Sequence, residues 1–143
     1  MKITIVPKIY ELPGKIWQKL VRSILKEYCK KNGAKVVHEI DLSIVFVHDT
    51  ELPFSGQLGY FQMVDGPAEC VILLNSEEWF DTDPDSEEPV KVLIHEIIHY
   101  CQYVTGRYAK PTSKDYHFKP DEIEAKGLCD YFYDKFVTGV DNG

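Results

Sequence analysis

The stretch Val90–Gly106 reads VKVLIHEIIHYCQYVTG, with apolar residues recurring at helical spacing. Inside it, His95-Glu96-Ile97-Ile98-His99 forms an H-E-x-x-H pattern. Residues four apart share one face of a helix, so the His95 and His99 imidazoles can converge on a single metal ion. Glu96, one residue round the helix, can reach a water held there and act as general base. This chemistry needs two neutral nitrogen ligands, an open position for water and a carboxylate beside it. The bland alternative is a helix that carries two surface histidines and a glutamate. Only residues further along the chain can decide between the two.

At 143 residues, the chain reads as one domain, 1–143, able to build a core without staples. Hydrophobic residues make up 44% and charged residues 27%, which is ordinary globular composition rather than that of a disordered chain. A net charge of -7 argues against binding nucleic acid or an anionic membrane, both of which need a basic face. Cys29, Cys70, Cys101 and Cys129 form no C-x-x-C pair, and thiols scattered through apolar segments suit a reducing cytosol. The opening MKITIVPKIY is too short and too interrupted for a signal peptide. No run approaches the roughly 18 apolar residues of a membrane span. A cytoplasmic protein is the expectation.

Lys2 to Val6 alternates like a short strand that Pro7 ends. Pro13-Gly14 then opens a helix with the apolar stripe Ile16, Trp17, Leu20, Val21, Ile24, Leu25 and Tyr28, closed by Asn32-Gly33. Ala34–Glu39 and Leu42–His48 are rich in valine and isoleucine and read as two strands. His38 and His48 flank them with no metal-spaced neighbour, so both read as surface residues. After a loop from Asp49 to Gln57, Leu58–Val64 and Glu69–Leu74 read as a hairpin turning at Asp65-Gly66-Pro67. The acidic stretch Ser76–Glu88 lacks the glycine and terminal glutamate of a calcium loop. It reads instead as a linker in which Asp85 or Ser86 caps the next helix, with Pro89 in its first turn. Gly106 ends that helix, Arg107–Pro120 connects, and a last helix runs from Pro120 to about Val137.

A catalytic zinc takes three protein ligands and keeps one position open. From the residues alone, the third ligand can be His117, Asp121, Glu122 or Glu124. HEIIH followed 23 residues after His99 by Glu122-Ile123-Glu124-Ala125 resembles the gluzincin branch of the zincin metallopeptidases. There the third ligand is a glutamate in an E-x-x-A or E-x-x-S setting on the next helix. The HExxHxxQ form of His95 to Gln102, with YHFKPDEIEA from Tyr116 to Ala125, is similar to small single-domain members. These are the minigluzincin-type, ImmA/IrrE-like and phage- or prophage-encoded zinc peptidases. The likeness covers residues 86–130. Upstream, it extends only to the plan of a backing helix and a small sheet.

The resemblance implies an α+β zincin-like fold with an N-terminal backing helix and a small mixed sheet, then an HExxH helix followed by a glutamate-bearing helix. It makes His95, His99 and Glu122 ligands of Zn(2+) and Glu96 the base. Helical geometry agrees: Glu122, Ala125, Cys129, Phe132 or Tyr133, and Phe136 share a face, which turns Glu124 towards the surface or towards a ligand histidine. In one respect the chain departs from the pattern. Lys126 stands where many gluzincins carry an Asp or Asn that supports a histidine, and Asp130 is the nearest substitute. Tyr116 and His117, entering the glutamate helix, are candidate donors to the oxyanion of a hydrolysed carbonyl. One of the strands Leu58–Val64 and Glu69–Leu74 should form the sheet edge and take an extended peptide by strand addition.

The function expected is therefore a zinc-dependent peptidase acting on a peptide or protein. Two other readings compete with it. A deformylase-like amide hydrolase would take Cys70 as third ligand, although the glycine-rich motif of that family is missing. A zinc-binding regulatory or interaction domain would have no need of Glu96, since a purely structural site closes its fourth position.

Overall fold

The computed structural model describes residues 2–6, 15–47, 56–62, 68–76, 88–107 and 120–138. It is an α+β arrangement with strands β1 (Ile3–Val6), β2 (Asp41–Val47), β3 (Gly56–Gln62) and β4 (Ala68–Asn75). The helices are α1 (Ile16–Asn32), α2 (Glu88–Val104) and α3 (Pro120–Tyr133), and Asp134–Thr138 extends the last as a π-helical turn. No helix among the described residues is long and apolar enough to cross a membrane.

The sheet runs β1-β2-β4-β3, with β1, β2 and β4 parallel and β3 antiparallel at the edge. Period-two alternation puts one face of the parallel strands inside. Register aligns Ile3 with Leu42 and Cys70, and Ile5 with Ile44 and Ile72, while Phe46 lies beside Leu74. All eight are buried. A one-residue slip would turn every one of them outward, so burial locks the register. The hairpin expectation holds: β3 and β4 pair from Gln62 and Ala68 outwards, while its turn lies outside the described residues. Of the two strands proposed as the edge, β3 occupies it and β4 is interior.

On α1 the buried positions are Gln18, Val21, Ile24, Leu25 and Tyr28. Trp17 and Leu20 flank this face, but Ile16 is exposed, so the stripe lies one position round from the one expected. Gly33 ends the helix with φ 58 and returns its N–H to the Cys29 carbonyl, a left-handed cap that suits glycine. Lys30 and Lys31 lie in the last turn, where cations favour the dipole.

Ala34–Glu39 is not a strand. Its Val37 and His38 amides both donate to the Val104 carbonyl, at 2.8 and 3.0 Å. The backbone of this connection is spent on the end of α2, whose last carbonyls have no partner within the helix. β-propensity at Val36-Val37 yields to that tertiary demand.

α2 is the central element. From Leu93 to Gln102 every residue except His95 is buried, because β3, β4, α1 and α3 all pack on it. A helix enclosed on several sides must be apolar nearly all round, so the polar residues inside it need specific partners. Its C-terminus closes as a Schellman turn: Gly106, at φ 71, donates to Tyr103 O and Arg107 N to Gln102 O, each at 3.1 Å. Tyr100 reaches back to donate to the Ile40 carbonyl. The α2–α3 contact centres on fully buried Ala125 and Phe132. Burying a side chain of phenylalanine size contributes about 1.5–3 kcal/mol.

Two glycine substitutions are expected to act in opposite directions. A Cβ at Gly106 would meet Val37 Cγ2 at 3.0 Å in a left-handed conformation. Gly106→Ala is therefore expected to destabilise by about 1–2 kcal/mol. Gly127 lies inside α3, and a Cβ added there would have nothing within 4 Å. Gly127→Ala is expected to stabilise by about 0.5–1 kcal/mol. Urea unfolding midpoints with unchanged slopes measure both; a stabilising Gly106→Ala would contradict the α2 cap.

Candidate metal centre

α2 carries His95 and His99 one turn apart, with ring centroids 4.9 Å apart and planes crossing at 81°. The first turn of α3 places Glu122 against both. Glu122 Oε1 lies 2.8 Å from His95 Nε2, and Oε2 lies 2.8 Å from His99 Nε2. One carboxylate thus spans two imidazoles, each through the same ring nitrogen. The Glu122 residue retains 1% exposure. Leaving a carboxylate that deep in the protein without compensating partners costs several kcal/mol.

Ligand-type atoms of His95, Glu96 and His99 also lie within 4.8 Å of one another. Both carboxylates are therefore near the imidazoles, and Glu122 meets their Nε2 atoms with both oxygens. Glu122 is thus a candidate third ligand, and Glu96, buried at 3% exposure, is the other carboxylate beside the imidazoles. Tetrahedral zinc, with bonds of about 2.0–2.1 Å, sets neighbouring ligand atoms roughly 3.3 Å apart. The observed 2.8 Å spacings therefore lie within about half an ångström of that requirement. Two imidazole nitrogens and a carboxylate are also the right donor set for the ion.

Burial lowers the His95 pKa from its ordinary value; Glu122 opposes this, and the positive charge available on His99 and Lys126 adds to it. The consequence is an imidazole that stays neutral to lower pH, and the neutral form is the one that can bind a metal.

Of the other candidates, Glu124 points away from the His95 and His99 Nε2 atoms and into a polar cluster. It accepts from Tyr28 Oη at 2.5 Å, Gln102 Nε2 at 3.1 Å and Arg107 Nη2 at 2.8 Å. Gln102 Oε1 in turn lies 2.8 Å from His99 Nδ1, and Arg107 Nε donates to Tyr28 Oη at 2.9 Å. Asp130 does not take the place that Lys126 vacates. It pairs with Lys91 at 2.9 Å with its side chain 76% exposed. Cys70 is fully buried within the sheet; the metal-spaced group found among the described residues is His95, Glu96 and His99, and contains neither Cys70 nor Glu122. Tyr116 and His117 lie outside the described residues, as do His48, Asp85 and Ser86.

The chain matches no family model, no curated protein and no solved structure.

Sequence reasoning did not find the roles of Tyr28 and Arg107. Tyr28 counted as one more apolar position on a helical stripe, and Arg107 as the start of a polar connection. One signal was available. A tyrosine at the end of a buried stripe must bring its hydroxyl to a partner, and the partners lie 79 and 96 residues away in sequence. Burial and the Glu124 carboxylate together raise the Tyr28 pKa, so the phenol stays a donor.

If Asp130 serves only an exposed ion pair, removing it should matter little. Asp130→Ala is expected to change the unfolding free energy by less than about 1 kcal/mol. A larger loss in a denaturant titration would mean that Asp130 has structural duties beyond Lys91.

Proposed function

We propose that this chain is a zinc-dependent peptidase of the gluzincin kind, with His95, His99 and Glu122 holding the metal and Glu96 as general base. The observation that carries the reading is the buried Glu122 carboxylate at 2.8 Å from the Nε2 atoms of both histidines. A third ligand delivered from the following helix is what separates a metal site from a helix with two incidental histidines. The plan of the fold supports the zincin-like reading, with an antiparallel edge strand and a glutamate helix both packed on the H-E-x-x-H helix.

Zinc at this position would act as a Lewis acid that polarises the scissile carbonyl and makes water more acidic. Glu96 supplies the proton traffic. From its buried place beside the two imidazoles it takes a proton from the attacking water and returns it to the departing amine nitrogen. The two histidines and Glu122 orient what binds between them. An extended peptide fits along β3, which pairs only with β4 among the described strands and packs against α2. Strand addition there would hold the substrate backbone above the site. Tyr116 and His117 remain candidates for oxyanion stabilisation from the segment that leads into α3. Four cysteines in the thiol form, none in a disulfide, suit a reducing, cytoplasmic setting.

Two measurements test the proposal. Zinc titrated against a chelator should bind at about one ion per chain, be lost in Glu122→Ala and survive in Cys70→Ser. The reverse pattern would transfer the third ligand to Cys70 and sink the gluzincin reading in favour of the deformylase-like one. Separately, Glu96→Gln should retain zinc but hydrolyse peptides at least about 100-fold more slowly than wild type, read by mass spectrometry of a peptide library. Equal cleavage by both proteins, or none by either, would leave a zinc-binding interaction domain as the function.

A further inference from the structure

Glu124 touches neither His95 nor His99, yet the hydrogen bonds that converge on it have a fixed direction. A carboxylate accepts, and Tyr28 Oη, Arg107 Nη2 and Gln102 all approach this one within 3.1 Å. Gln102 must therefore present its amide nitrogen to Glu124, because its carbonyl would meet a second acceptor there. That choice turns Gln102 Oε1 to His99 Nδ1, at 2.8 Å. Since a carbonyl oxygen cannot donate, Nδ1 must carry a proton. In the neutral imidazole, the form that binds a metal, Nε2 then presents a lone pair to the space shared with His95 and Glu122.

We propose that Glu124 is a positioning residue that sets the tautomer of His99 through Gln102, and that Tyr28 and Arg107 hold Glu124 to that task. The relay connects three helices and the turn after α2. It makes the amide of Gln102 a polarity adaptor, with a donor on one side and an acceptor on the other. Its value to zinc binding rests on the function proposed above, whereas the tautomer itself does not.

The test uses the full chain in two states. In metal-free protein labelled with 15N histidine, the imidazole shifts of His99 should show Nδ1 protonated. Glu124→Gln introduces an amide that can donate to Gln102, which frees Gln102 to turn over, and Gln102→Met removes the acceptor while keeping the side-chain length. Both variants should lose the uniform Nδ1-protonated signature while keeping the wild-type circular dichroism spectrum. Zinc affinity measured by chelator competition should fall about 10- to 100-fold in each, the usual effect of losing a group that orients a ligand histidine. Should Glu124→Gln fail to fold, Gln102→Met alone carries the same two readouts. A wild-type His99 protonated only at Nε2, or variants with unchanged shifts and affinity, would overturn the proposal. A wild type that binds no zinc but loses the Nδ1 signature in the variants would instead overturn the metal reading and leave the relay standing.

Discussion

The Glu122 carboxylate, buried between two imidazoles, is the constraint on which the arrangement of the helices depends. A charge with 1% exposure is tolerable only where partners replace the water it has lost. Those partners sit on α2, so α3 must start where its first turn faces His95 and His99, and the two helices must approach closely. Fully buried Ala125, one turn after Glu122, removes the side-chain bulk that would hold them apart. Phe132, two turns further along, then seals the same face with apolar area. The polar contact sets the alignment, and the apolar contacts supply most of the free energy that keeps it.

The same cluster carries an electrostatic tension. With the His99 proton on Nδ1, its Nε2 lone pair faces Glu122 Oε2 at 2.8 Å, two acceptors at hydrogen-bonding distance. Such a contact is unfavourable unless a positive centre lies between the two atoms, whether a proton or a metal ion. The relay through Gln102 and Glu124 enforces that demand rather than relieving it. A proton meets that demand as an ion pair, because an imidazolium carries hydrogens on both ring nitrogens and donates from Nδ1 to Gln102 and from Nε2 to Glu122. The direction of the hydrogen bonds therefore fixes a proton on Nδ1 and requires a positive centre, a second proton or a metal ion, between Nε2 and Glu122.

What could be read from the sequence followed from local periodicity. The spacing of His95, Glu96 and His99 on one helix is a property of 3.6 residues per turn, and Gly33 and Gly106 stop their helices because left-handed caps suit glycine. The strands Leu42–Phe46 and Cys70–Leu74 announce themselves by short runs of valine, isoleucine and other apolar residues. Ala34–Glu39 misled because valines favour strands only when a neighbouring strand is there to pair with them. Its amides went to Val104 instead, a contact across 67 residues of sequence that no local pattern encodes. The relay was hidden for the same reason. Tyr28, Gln102, Arg107 and Glu124 come from three elements and a turn, and each has an unremarkable local explanation.

Lys126 changes the charge around the site and leaves its carboxylates in place. A lysine has no acceptor to offer a histidine N–H at that point of α3. Burial is the main reason that protonation of His95 is disfavoured, and the Lys126 charge adds to it only slightly. Orientation of the other histidine is taken over from the opposite side, where Glu124 acts through Gln102 from two residues along α3 from Glu122 itself. A single helical turn therefore supplies both the carboxylate that meets the Nε2 atoms and the carboxylate that governs which nitrogen of His99 is available. The two are separable by chemistry, since one contacts the imidazoles and the other contacts only an amide and two donors. Substituting the lysine removes neither carboxylate, which is why the departure at position 126 alters the electrostatics without dismantling the constellation.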